Sequence, residues 1–270
     1  QIEIFVAEHY WQIVLLLISL GIIIALVRLL PTLRYVATVK KRDMKVVLEI
    51  GDLFGTDETL VIGTNRTFDT DTTNNLIHPK SLQAQFASKF FGLPARLDRA
   101  IEASLQGEPF ELLTSQQKHR GKLKLYPIGA TVKLCMQKQI DAYLVAIATM
   151  NGYGVASTSI DQFRVALGAF WQYVIEKGGG SPKLRMPVIG TGLAKLPANR
   201  EEVIREILRS FFAASSADHF CTQLTIVITA KDFLEHEINL AELGRYLEYL
   251  AAYTEFKSST DTGSGIGIAP

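Results

Sequence analysis

Pro187-Val188-Ile189-Gly190-Thr191-Gly192-Leu193-Ala194-Lys195-Leu196-Pro197 is the stretch on which the fold of this chain turns. It leaves a β-rich run, Leu184–Ile189, and enters a segment opened by Asn199 and Glu202, the spacing of a helix capping box. Two glycines around a threonine, between a strand and a capped helix, let successive backbone N–H groups converge on an anion. The segment is no Walker loop, because GxxxxGK[ST] is absent, and no GxGxxG opens a first strand–helix unit. A glycine-rich turn without a ligand is the alternative reading.

Outward from this loop, β-rich runs alternate with amphipathic stretches from about Asp43 onward. The runs are Lys45–Ile50, Thr59–Gly63, Lys122–Ile128, Thr131–Met136, Tyr143–Thr149, Leu184–Ile189 and Gln223–Thr229. Several are apolar throughout, as strands buried on both faces are. Ser159 and Gln162 form a second capping box ahead of the stripe Phe163, Leu167, Phe170, Trp171 and Val174, which should end at the Gly178–Gly180 run. Asn239 and Glu242 form a third, and Ser81–Phe91 and Pro94–Leu105 are two further expected helices. The alternation predicts a three-layer α/β/α domain around a mixed sheet, over residues 44–256. The Gly/Ser-rich segment 257–270 reads as a flexible tail.

The front of the chain differs. Tyr10–Leu30, YWQIVLLLISLGIIIALVRLL, has about the 20 residues that cross a bilayer, with Tyr10 and Trp11 suited to one interface and Arg28 and Arg34 to the other. A buried core helix would be apolar on fewer faces, and a signal peptide would carry its basic residues ahead of the apolar run, where Glu3 and Glu8 stand. Residues 1–34 are therefore expected to form a transmembrane anchor, spanning about 10–30, and 35–43 a basic juxtamembrane linker. Arg34, Lys40, Lys41, Arg42 and Lys45 place the remainder on the cytoplasmic side of a cell inner membrane.

Composition narrows the chemistry. Hydrophobic residues are 48% and charged residues 20% of the 270, which excludes disorder. Twenty-eight basic residues against 27 acidic ones argue against a nucleic-acid partner. Cys135 and Cys221 lack metal-site spacing and fit a reduced compartment, and the five histidines are scattered, so no metal site is expected. Asp69 and Asp71 read as a solvated acidic turn, and Lys118, His119, Arg120, Lys122 and Lys124 as a solvated basic loop. No GxSxG elbow or Cys/His pair suggests covalent catalysis.

In such a sheet, ligands sit beyond the carboxyl ends of the strands. Gly51-Asp52 follows one strand, and a carboxylate there accepts from an exocyclic amine or serves as a turn cap. Gly63-Thr64-Asn65-Arg66-Thr67 follows the next, with Asn65 able to donate and accept, or to be an ordinary turn residue. The order of these two loops and the PxIxTGxxxxP segment resembles the macro domain, over roughly Asp43 to Tyr253. That resemblance implies binding of ADP-ribose or a related nucleotide. Asp52 and Leu53 would lie at adenine and Asn65 near the distal ribose. Gly190, Thr191, Gly192, Leu193, Ala194 and Lys195 would wrap the diphosphate, and Phe233 would pack on adenine.

The departures from the family pattern matter. Of the Asn-Ala-Ala-Asn segment found in many macro hydrolases, Ile62-Gly63-Thr64-Asn65 keeps only the last residue, and Phe68-Asp69-Thr70-Asp71-Thr72-Thr73 replaces the glycine-rich loop after it. Ala194 stands for the usual aromatic of the phosphate loop and Lys195 for a glycine. Recognition is expected and hydrolysis is not; an ADP-ribosyl hydrolase or NAD-consuming enzyme is the alternative. A membrane span ahead of a divergent macro domain is similar to the macro-type effector of the Thoeris antiphage system. By that resemblance, a TIR-domain partner makes an ADP-ribose-derived signal, histidine-ADP-ribose. The effector binds it without a cofactor, forms a homo-oligomer and acts on the lipid bilayer.

Overall fold

The computed structural model describes residues 9–29, 33–72, 76–136, 141–180, 182–190 and 196–257, with no side chains described for 23–29. The chain divides into two compact units, residues 1–33 and 34–270.

Among the described residues, the first unit holds one helix, α1 (Tyr10–Leu29). Ser19 Oγ donates to the carbonyl of Leu15 at 2.6 Å, so this hydroxyl is satisfied within the helix. The expected span of about residues 10–30 is helical over Tyr10–Leu29, which does not by itself make it a membrane crossing. Among the described residues, no helix is long and apolar enough to cross a membrane.

The second unit is a twisted mixed sheet with helices on both faces. Its strands are β1 (Arg34–Val39), β2 (Met44–Ile50), β3 (Thr59–Asn65), β4 (Glu111–Leu112), β5 (Lys124–Leu125), β6 (Thr131–Cys135), β7 (Asp141–Met150), β8 (Ala156–Ser157), β9 (Lys183–Pro187) and β10 (Gln223–Ile228). The main sheet runs β1-β2-β10-β9-β3-β7-β6, with β8 paired to β7, while β4 and β5 form a separate pair. The five central strands β2, β10, β9, β3 and β7 are parallel, and β1 and β6 close the edges antiparallel. Parallel neighbours point their carboxyl ends the same way, so the loops after β2, β10, β9, β3 and β7 share one rim.

Helices α4 (Ile160–Lys177), α5 (Arg200–Ala217) and α7 (Leu240–Tyr253) cover one face, where Phe163, Trp171, Ile207, Phe211 and Leu247 fill the larger core. On the other face, α2 (Leu82–Phe86), its π-helical continuation Ala87–Phe91 and α3 (Pro94–Ser104) bury Phe86, Leu97 and Ile101 against Ile62, Val132 and Leu144. A short helix, α6 (Ala230–Glu235), follows β10. The boxes at Ser159/Gln162 and Asn199/Glu202 form reciprocally. At Asn239 the side chain accepts from the Glu242 N–H, but its own N–H donates to Glu201 of α5 at 2.6 Å, so the cap also ties two helices together.

Two expectations are corrected. Residues 35–43 are no linker. Arg34–Val39 is the edge strand of the sheet, Lys40–Arg42 is a 3-10 turn, and the domain begins at Arg34. Tyr35 is seated because Gly244 of α7 has no Cβ; one there would come within 2.5 Å of the Tyr35 ring. The run Lys122–Ile128 contributes only Lys124–Leu125 to a strand, because the Tyr126 N–H is spent on the Arg66 carbonyl at 2.9 Å instead of a sheet neighbour. Within the expected tail, the Lys257 N–H donates to the Ser216 carbonyl, and 258–270 lie outside the described residues.

Candidate functional site

Four of the rim loops carry the residues singled out in the sequence. After β2, the Gly51 N–H extends the parallel ladder by donating to the Ile228 carbonyl at 3.0 Å. Asp52 then turns the chain: it is exposed, and its Oδ1 accepts from the Phe54 N–H at 3.1 Å. Leu53, 4% exposed, drops into the smaller core and fixes that turn. The carboxylate thus caps its own turn and still faces solvent at the rim.

Arg185 of β9 holds the turn from below. Its Nη2 donates to the Asp52 carbonyl and to Glu49 Oε1, both at 2.7 Å, and its Nη1 to Glu58 Oε2 at 3.1 Å. Thr225 of β10 donates to Glu58 Oε1 at 3.1 Å, and Gln223 Nε2 donates to the same oxygen. Arg185, Glu58 and Thr225 are all buried.

After β9, Val188 and Ile189 are buried and Gly190 takes a φ of +88°, a conformation that glycine adopts without strain. The Leu196 N–H donates to the Gly190 carbonyl at 3.1 Å, which brings the two ends of the loop together. Thr191, Gly192, Leu193, Ala194 and Lys195 lie outside the described residues. After β10, Thr229 caps α6 by accepting from the Asp232 N–H at 3.0 Å. Phe233, on that helix, is half-buried against the larger core. Since β10 pairs with both β2 and β9, this helix start falls at the rim between Asp52 and Gly190.

After β3 the geometry is tighter. A register irregularity between Thr64 and Asn65 re-aims the asparagine. Its Oδ1 accepts from the Thr67 N–H, the Thr67 hydroxyl and the Asp69 N–H at 3.0, 2.9 and 3.2 Å, and its Nδ2 donates to Met150 Sδ at 3.0 Å. Asn65 is 5% exposed, and its side chain is spent on its own loop and on Met150 of β7. Where a glycine would be expected to turn the chain, Phe68 adopts a φ of +50° and is fully buried, edge-on to Tyr126 at 5.6 Å.

This loop is pinned by an ion pair invisible in the sequence. Lys118 Nζ lies 2.7 Å from Asp69 Oδ2 and donates to the Lys122 carbonyl at 2.7 Å, while the Lys122 N–H reaches Asp69 Oδ1 at 2.7 Å. Both side chains are 1% exposed. Asp69 is therefore no solvated turn residue, and Lys118 no part of a solvated basic loop. Lys122 and Lys124 are also engaged, the former with Asp98 at 2.6 Å and the latter over the Phe110 ring at 4.7 Å. Burial, with the charge of Glu102, raises the pKa of the Tyr126 phenol against this loop. Among the described residues, no group of His, Cys, Asp and Glu could hold a metal ion.

The family described as Thoeris protein ThsA, Macro domain, matches residues 46–229. Among solved structures, an asparagine-to-alanine variant of the Oceanobacillus iheyensis macrodomain is similar at 13% identity and a TM-score of 0.51, over 83% of this chain and 96% of that one. An aspartate-to-alanine variant of the same macrodomain matches at 13% identity and 0.51, over 80% and 100%. These likenesses show the macro fold. A search of curated protein sequences finds no match.

Proposed function

The chain belongs to the macro-domain family of Thoeris ThsA proteins, and on that footing we propose that it is a membrane-anchored sensor in antiphage defence that binds an ADP-ribose-derived nucleotide without consuming it. One observation supports this reading above the others. Asp52, Phe233, Gly190 and Asn65 stand, in that order, at or beyond the carboxyl ends of the neighbouring parallel strands β2, β10, β9 and β3, on the rim where ligands of such sheets sit. In this reading Asp52 and Phe233 hold the base, the loop from Gly190 holds the diphosphate, and the β3 loop faces the distal ribose. The same β3 loop is knitted shut by Asn65, Asp69 and Lys118, which supports recognition over turnover: the asparagine is spent on Thr67, Asp69 and Met150, and the glycines that would let a substrate and water approach are absent.

The anchor is part of the proposal. Helix α1 exposes Leu15, Leu16, Leu17, Ile18 and Ile22, all more than half exposed, which suits lipid contact. The domain would then lie in the cytoplasm at the inner membrane, and a TIR-domain partner would supply the signal, histidine-ADP-ribose. Binding would gather the domains into a homo-oligomer, and the clustered anchors would disrupt the bilayer.

Melting curves of the purified protein test the first step. ADP-ribose or histidine-ADP-ribose at about 100 times its Kd should stabilise the folded chain by about 2.7 kcal/mol. Mass photometry in detergent tests the second: particles should grow when ligand is added. A bound ligand with no change in size would contradict the clustering.

A further inference from the structure

Resting on the reading of the rim as a nucleotide site, we propose that Arg185 is a positioning residue that sets the base specificity of that site. Arg185 belongs to β9, the strand that delivers the Gly190 loop, and two residues separate it from Val188. Its guanidinium crosses to the other end of the rim and holds the Asp52 carbonyl at 2.7 Å. One side chain therefore joins the strand beneath the diphosphate loop to the turn that presents the base-binding carboxylate. It is 5% exposed, and a planar fork is needed to serve Glu49, Glu58 and the Asp52 carbonyl together. Its Nε is buried and has no hydrogen-bond partner among the described residues.

The Asp52 turn has few other restraints. Gly51 holds one ladder bond, Leu53 is anchored by burial, and the Asp52 carboxylate spends one oxygen on Phe54. If the carbonyl is released, the turn loses the bond that fixes the backbone at Asp52, and the carboxylate on that residue is no longer held in one place. A carboxylate accepts from the 6-amino group of adenine and repels the 6-oxo group of hypoxanthine. Its placement therefore governs discrimination between the two bases, while ribose and diphosphate contacts are common to both.

The test titrates the full chain in detergent with ADP-ribose and with its hypoxanthine analogue, inosine diphosphate ribose. Arg185→Met is made together with Glu58→Gln, so that no buried carboxylate is left without its cation. Arg185→Lys and Glu49→Gln are made separately; the latter leaves the guanidinium in place and acts at a partly exposed carboxylate. The parent should favour ADP-ribose. The Arg185→Met pair should lower the ratio of the two affinities at least about tenfold, chiefly by weakening ADP-ribose, as expected for a lost hydrogen bond between a base amine and a carboxylate. Arg185→Lys should not restore the ratio, because one ammonium cannot replace the fork. Glu49→Gln should lower it by a smaller factor. Simple loosening of the fold would weaken both ligands alike and leave the ratio within twofold, and that result in the variants that fold overturns the proposal. A parent that binds neither ligand overturns the nucleotide reading of the rim itself.

Discussion

Lys118 Nζ and Asp69 Oδ2 are 2.7 Å apart with both side chains 1% exposed, although 49 residues separate them in the chain. The pair closes the loop after β3 from below, and Gly121 permits it: at φ +83°, a Cβ there would come within 2.3 Å of Asp69 Oδ1. Removing one partner leaves the other charge buried alone. Lys118→Met should cost about 3–5 kcal/mol of folding stability. Lys118→Met with Asp69→Leu should cost clearly less, because no charge is stranded. Urea denaturation of the two variants decides; a single substitution costing under about 1 kcal/mol would mean the pair is not buried in solution.

The edge strand β1 makes its own prediction. Tyr35 packs where Gly244 has no side chain, and a Cβ at 244 would meet ring atoms at 2.5, 2.7 and 2.9 Å. Gly244→Ala must displace the ring and should cost about 1–3 kcal/mol, the range for overpacking. Tyr35→Ala in the same background should largely relieve the strain. If Gly244→Ala is neutral in thermal melts, residues 34–39 are a tether and not a strand of the domain.

The two cysteines should behave oppositely. Cys135 is exposed, while Cys221 is buried and its thiol is pushed up to about 12, chiefly by desolvation. At pH 8 one thiol should react with a chromogenic disulfide in the native protein, and two after denaturation. The raised value also sets a direction. An acid whose pKa is higher folded than unfolded gives stability that is complete below its ordinary value of 9.0 and is lost as pH rises toward 12. Burial raises the Tyr143 phenol as well, in the same sense. Stability should therefore fall above about pH 9, and a flat profile between pH 8 and 11 would show that these groups are solvated.

At the rim, Asp52→Ala should weaken ADP-ribose by about 1.5–3 kcal/mol, a tenfold to hundredfold loss. Asp52→Asn keeps the cap on Phe54 but presents an amide, and should recover only part of it. Equal affinities for parent and Asp52→Ala would remove the base from this end of the rim.

Much of this architecture could be read from local signals. The strands at Tyr143–Thr149 and Gln223–Thr229 are apolar on both faces because helices cover both, and the boxes at Ser159 and Asn199 mark helix starts that form as the spacing requires. Local pattern fails where the partner is remote. Lys118 looks solvated among its basic neighbours, and only the fold brings Asp69 beneath it. Arg185 sits in the short strand KLRMP and meets Glu58, 127 positions away in the chain. Arg34–Val39 alternates exposed and buried positions as an edge strand does, but its basic flank reads equally as a juxtamembrane segment. Asn65 was legible as a turn residue; that the turn consumes both ends of its amide depends on Met150 and Asp69.

The central claim is binding without turnover at the rim of the parallel strands. Calorimetric titration of the purified protein with ADP-ribose, followed by chromatography of the recovered ligand, tests it most directly. The account predicts saturable binding, abolished or strongly weakened by Asp52→Ala, and ligand recovered intact after prolonged incubation. No binding of ADP-ribose or histidine-ADP-ribose, or recovery of cleaved products, would contradict it.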